Sequence, residues 1–135
     1  MIFRTLTSAA GLAAMLTVAA CDAPQAENKT IQGTVAYRER MALPPDAQVK
    51  VSLVDVSKAD APSVTIAESI ITPKGQVPVP YVLEYDPAKL ESGHSYALQA
   101  RITSGEDLLF ITTTHNPYVI DGQNSTDLML QRTGN

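Results

Sequence analysis

Tryptophan is absent from this chain, cysteine occurs once and histidine twice. A single cysteine excludes an internal disulfide framework. It also excludes metal sites built on paired thiolates, and His94 and His115 alone are too few for a histidine-rich metal site. Aromatic residues make up only 5% of the 135 positions, so any core must be built mainly from Val, Ile and Leu. Basic residues are outnumbered, with 10 Lys and Arg against 14 Asp and Glu and a formal net charge of −4. No basic stripe is left for nucleic acid, and no basic patch for anionic lipid. Catalytic signatures are missing too. The chain has no GxSxG, no HExxH and no glycine loop to cradle a phosphate. His94 in "SGHSY" reads as a turn residue, and His115 in "TTTHNPYV" as the end of a strand before an Asn-Pro turn. We therefore expect no enzyme and no cofactor. Two polar side chains converging on either histidine in a cleft would argue the other way.

What is present begins at the N-terminus. "MIFR" is a short charged opening, and "LTSAAGLAAMLTVAA" (6–20) is an uncharged, mostly apolar run. It is shorter than the ~20 apolar residues a comfortable membrane-spanning helix needs. It matches the helical apolar region of a secretory signal, with small residues at the cleavage point. The one cysteine falls in "VAAC", Val18 to Cys21, which resembles the bacterial lipobox. In such signals the Cys sulfur receives diacylglycerol, the chain is cut before it, and the new amino group is acylated. We expect residues 1–20 to be a lipoprotein signal peptide and Cys21 to be the lipidated first residue. The competing reading is an ordinary signal peptide with an incidental Cys21. A catalytic thiol has no partner here. Residues 21–29 are polar, contain Pro24 and read as a flexible tether. Its eight residues Asp22–Lys29 span at most about 25–30 Å, which keeps the domain near a membrane. Losing Arg4 with the signal leaves −5 on the side chains. Asp22 resembles the inner-membrane retention signal of enteric lipoproteins, so the inner membrane is favoured and the outer left open.

From residue 30 to 132 the apolar period is two, the period of strands. The inward sets expected are Ile31, Gly33, Val35 and Tyr37; Val49, Val51 and Leu53; Val64, Ile66 and Ile70; Val77, Val79, Tyr81, Leu83 and Tyr85; and Tyr96, Leu98, Ala100 and Ile102. "LLFITTT" is apolar on both parities, and "STDLMLQR" ends the series with Leu128 and Leu130. Turn signals separate these runs at "PPDA", "ADAPS", "PKGQ", "DPAKLESG", "SGED" and "DGQN". "SGED" (104–107) carries the clearest hairpin signal. "DPAKLES" alone can hold a helical turn, with Asp86 as cap and Pro87 at the first position. The expectation is a single all-β domain: a small antiparallel β-sandwich or partly open barrel of about seven strands.

Two segments stand out as partner surfaces. Pro78 and Pro80 fall in a strand run, where proline cannot donate to a ladder, so this segment should begin at a sheet edge or run free of pairing. The edge reads first as protection against aggregation, and second as a preformed segment, through Tyr81, for a docking strand or peptide. "YRERMALPPDAQV" (37–49) sets Tyr37, Arg38, Arg40 and Met41 ahead of a double proline. It reads either as salt-bridged charges with apolar residues folded over the barrel mouth, or as a recognition patch, since Tyr and Arg are common interface anchors.

Taken together, "GTVAYRERMALPPDAQVKVSLVDVSKADAPSVTIAES", "GQVPVPYVLEYDPAKL", "YALQARI" and "LLFITTT" resemble the YbaY-type lipoproteins, grouped with the YscW-like lipoprotein chaperones of type III secretion. The resemblance spans roughly residues 31–131 and is closer to the YbaY branch. It implies a small β-sandwich lipoprotein in a Gram-negative envelope, anchored by lipid and facing the periplasm. YscW-like members include pilotins, which bind secretin subunits and help them reach the outer membrane. The implied function is non-catalytic binding or chaperoning of another envelope protein, secretin-like by analogy. The alternative is an envelope lipoprotein that binds a small molecule or cell-wall component. An apolar pocket beside the 37–47 loop would favour that alternative, and a filled barrel interior would oppose it.

Overall fold

The computed structural model describes residues 27–134. The expected signal peptide, Cys21 and the tether up to residue 26 lie outside the described residues. The described part is all-β apart from one helical turn. Its elements are β1 (Lys29–Tyr37), β2 (Ala47–Asp55), β3 (Val64–Ile71), β4 (Val79–Tyr85), a 3-10 turn at Pro87–Lys89, β5 (Tyr96–Ser104), β6 (Asp107–Ile111), β7 (Pro117–Tyr118) and β8 (Leu128–Arg132). The helical turn is capped by the Asp86 side chain, which accepts from the Ala88 N–H, with Pro87 leading it. The "SGED" hairpin forms with Ser104 opposite Asp107, and Gly105 at φ 58° occupies the loop position that demands a left-handed residue.

The main strands run in the order β3-β2-β5-β6-β8-β1-β4, with the two-residue β7 attached to β5. β3 and β4 end this path and come side by side without sharing a ladder, so the sheet is a nearly closed barrel. β4 thus holds the edge position that Pro80 calls for, while Pro78 lies just before the strand. The antiparallel expectation fails at one seam. β1 and β8 pair in parallel, Val35 opposite Leu128 and Tyr37 opposite Leu130. A parallel pair needs a long connection, and here nearly the whole domain separates the two strands.

Inside the barrel the alternation is filled. Val35, Val49, Val51, Leu53, Leu83, Leu98, Ile102, Phe110, Leu128 and Leu130 are almost wholly buried, and among the described residues no polar or charged side chain is. Tyr37 stacks on Phe110 at 4.0 Å between ring centroids. Gly33 faces Tyr81 across β1 and β4. A Cβ at Gly33 would lie 2.1 Å from the Thr126 carbonyl oxygen and 2.9 Å from Tyr81 Oη, so no larger residue fits. Into that space the Tyr81 hydroxyl donates to the Thr126 carbonyl at 2.6 Å.

β3 departs from its expected face. The register against β2 shifts between Leu53 and Val54, where Leu53 opposes Ala67 and Val54 opposes Thr65. Ile66 is therefore an extra residue in a β-bulge, which inverts the parity beyond it. Ile66, Ala67 and Ile71 pack on the core. Val64 and Ile70, expected inside with Ile66, are 61% and 57% exposed.

Candidate functional site

The strand directions sort the loops to two ends of the barrel. At one end β1 finishes, and the 38–46 segment, the 72–78 segment leading into β4 and the 105–106 hairpin tip come together. The Leu43 N–H donates to Gln76 Oε1 at 2.7 Å, which ties the first two loops. The Tyr37 hydroxyl donates to the Met41 carbonyl at 2.6 Å, fixing the turn that follows β1. Ser104 Oγ donates to Asp46 Oδ1 at 2.6 Å, which brings in the hairpin. Leu43 is buried as the plug of this end, while Arg38, Arg40 and Met41 stay exposed.

The structure thus brings the two expected surfaces together, although more than thirty residues separate them in the chain. It also divides their residues. Arg38, Arg40, Met41, Pro78 and Pro80 reach the surface. Tyr37 and Tyr81 do not. At 6% and 2% exposure both rings belong to the core, one against Phe110 and the other against Gly33. Burial pushes the Tyr81 phenol up to about 12 and raises Tyr37 as well. As contact residues they are corrected to supports. The sequence did carry the sign, because both stand on the inward parity of their strands.

Between the end of β3 and the start of β4 opens a cleft of about 340 Å³, lined by Ile71, Thr72, Pro73, Gln76, Val79 and Pro80 among others. Its origin lies in hydrogen bonding. The Thr34 N–H donates to Asp127 Oδ1 at 3.1 Å, on the β8 side and away from β4. Thr34 and Pro80 are partners, so theirs is a non-hydrogen-bonded pair, whose backbone groups point outward from the ladder. The nitrogen of Pro80 then faces β3, and it has no hydrogen to donate. The seam is blocked at the position where closure would need a donor.

At the other end His94 is more engaged than a turn residue. Its Nδ1 lies 2.6 Å from Asp55 Oδ2 and its Nε2 lies 3.0 Å from Glu91 Oε2. The hydrogen bond to Asp55, with smaller help from both carboxylate charges, raises the His94 pKa. Asp55 is lowered to about 2, chiefly by the hydrogen bond from the Ser57 hydroxyl and then by His94. Polar groups do converge on a histidine beside a cleft, the arrangement that would argue for catalysis. Each ring nitrogen faces a carboxylate, and the Ser57 hydroxyl donates to Asp55, not to His94, so no Ser–His pair forms here. The group is a clamp: Ser95 N–H donates to Ser57 Oγ at 2.8 Å, and Val56 N–H to the Ser95 carbonyl at 2.8 Å. Asp55 stands 39 positions from His94, so no local motif announces the pair. His115 is exposed in the segment before β7. Among the described residues no group of three or more His, Cys, Asp or Glu is arranged to hold a metal ion.

The fold is a nearly closed, apolar-filled barrel, and its sequence pattern places it in a family. The chain belongs to the family of type III secretion system lipoprotein chaperones (YscW), whose pattern matches residues 26–130. It is similar to the lipoprotein YbaY of Escherichia coli (strain K12), with 38% identity over 119 residues covering 87% of this chain. The chain spans 63% of that relative's length. Among solved structures it is similar to an alternative pilotin from the type II secretion system of Vibrio cholerae. That match has a TM-score of 0.74 and 41% identity, and covers 81% of this chain and all of the other.

Proposed function

We propose that this protein is a lipid-anchored, periplasm-facing lipoprotein of the Gram-negative envelope that binds and chaperones another envelope protein without catalysis. Residues 1–20 are its signal, Cys21 carries the acyl chains, 21–29 form the tether and 30–132 the binding domain. Two or more acyl chains anchor stably where one would not, and tethering raises the domain's effective concentration near its partner. The likeness to a pilotin makes a secretin-type subunit the partner class to test first.

One observation carries this reading: Arg38, Arg40 and Met41 are exposed at the same end of the barrel as the apolar cleft beside Pro80, in a loop that the Leu43 N–H ties to Gln76 of the cleft lining. Exposed arginines at the end of the barrel where an apolar cleft opens have the character of an interface anchor. The test is crosslinking in intact cells followed by mass spectrometry of what co-purifies. Arg38→Ala combined with Arg40→Ala is expected to deplete one envelope protein from the crosslinked set. An unchanged set overturns the assignment of this end.

The cleft itself favours a second reading, capture of a small apolar ligand, because its volume reaches the lower bound of ligand sites, about 300 Å³. Against that, the barrel interior, among the described residues, is filled by apolar side chains. Native mass spectrometry of protein purified from its membrane separates the two: a bound small molecule of fixed mass supports the second.

A further inference from the structure

The end of the barrel opposite the cleft carries an apolar feature with no internal role. β1 starts there at Lys29, the point where the tether enters the domain. Lys29 Nζ lies 2.9 Å from Asp121 Oδ1, so the turn holding Asp121 sits directly beside that entry. The two residues before Asp121 are Val119 and Ile120, 57% and 38% exposed. Exposed β-branched residues are unusual at a turn tip, and this tip is firmly built. The Val119 N–H donates to Asn124 Oδ1 at 2.7 Å, and Asn124 Nδ2 returns a bond to the Val119 carbonyl at 2.8 Å. Gly122 N–H also donates to that carbonyl, at 3.1 Å, and Asp121 takes φ 58°. A Cβ on Gly122 would press on the Val119 side chain at 2.9 Å, so the glycine leaves Val119 its place.

We propose that the Val119–Ile120 turn is a membrane-contact point that seats this end of the domain on the lipid surface. The proposal rests on lipidation of Cys21. The occupant follows from the chain's own geometry: with at most about 25–30 Å of tether entering beside the turn, the nearest large apolar phase is the bilayer that holds the acyl chains. The charge pattern agrees. Lys29 and Asp121 neutralise each other next to the tip, so insertion needs no anionic headgroup. Two aliphatic side chains contribute less than one acyl chain, which by itself binds only marginally. They cannot recruit the protein, but once the anchor is in place they decide which way it faces. The nine residues of β1 separate the ends by roughly 25–30 Å, so seating this end turns the Arg38–Met41 loop and the cleft away from the membrane.

The test uses the full lipidated protein in vesicles of phosphatidylethanolamine and phosphatidylglycerol. An environment-sensitive fluorophore is placed on Ile120→Cys or, as the far-end control, on Glu106→Cys in the hairpin tip. The expected result is a blue-shifted emission at position 120, quenched by nitroxide-labelled lipid and unchanged by high salt, with water-like emission at position 106. Equal, water-like emission at both overturns the membrane contact. So does shielding at position 120 seen in cells but absent in vesicles, which identifies a protein partner instead. Mass spectrometry of the same sample reads the acyl chains on Cys21. Their absence overturns the anchoring itself and is thereby distinguished from failure of the turn. Hydrogen exchange of the unsubstituted lipoprotein checks the result without a label: amides of residues 119–123 are expected to slow on vesicles relative to detergent, and unchanged rates overturn the proposal.

Discussion

At the scale of single residues, Gly33 and Tyr81 form the tightest test of the barrel. Gly33→Ala drives a Cβ into the Thr126 carbonyl, a backbone atom that cannot swing aside. The expected loss is ~1–3 kcal/mol, as for overpacking, read from the urea denaturation midpoint. Tyr81→Phe removes the donor to Thr126 and is expected to lose ~1 kcal/mol. The pair should be non-additive because both act on one carbonyl. His94 and Asp55 make stability depend on pH. The raised His94 pKa gives a contribution fully present below the unfolded value of 6.5 and lost as pH rises through the folded value. Asp55 acts oppositely: its contribution is present above 3.8 and is lost as pH falls toward about 2. His94→Gln is expected to flatten the decline above pH 6.5 in denaturation midpoints measured across pH. Gly33 was visible as an inward position, but the reason for a glycine there was not. Thr126, the atom it must avoid, lies 93 residues away.

At the scale of elements, the strands were legible because alternation is a local property. The face of β3 was not, since one bulged residue, Ile66, inverts every later position, and a bulge is defined only against a partner strand. β7 was missed because two residues carry no period. Pro80 was read correctly as an edge residue, while the direction of its nitrogen needed the Thr34 N–H to be traced to Asp127. Pro80→Val restores a donor toward β3. The expected outcome is a closed seam and a narrowed cleft: crosslinking to the partner falls while the denaturation midpoint stays within ~1 kcal/mol of the parent. Crosslinking at the parent level would show that the cleft is not the contact.

At the scale of the whole molecule, the two ends of the barrel differ: β1 begins at one, with Lys29, and the cleft opens at the other. Cys21→Ala is expected to move the protein from the membrane to the soluble fraction, read by fractionation and blotting. Asp22→Ser is expected to shift it from inner toward outer membrane on a density gradient, a direction that bears on whether a pilotin-like route to the outer membrane is open to it. The amino-acid sequence by itself determined the strand period, the position of Cys21 after two small residues and the family, because each is written in neighbouring residues. Only the tertiary structure decided that Tyr37 and Tyr81 are core, that Val64 and Ile70 face water, and that Arg38 and Pro80 share one end while Lys29 and Ile120 share the other. Those outcomes depend on which strands pair and in what register, and the residues that set the pairing stand tens of positions apart.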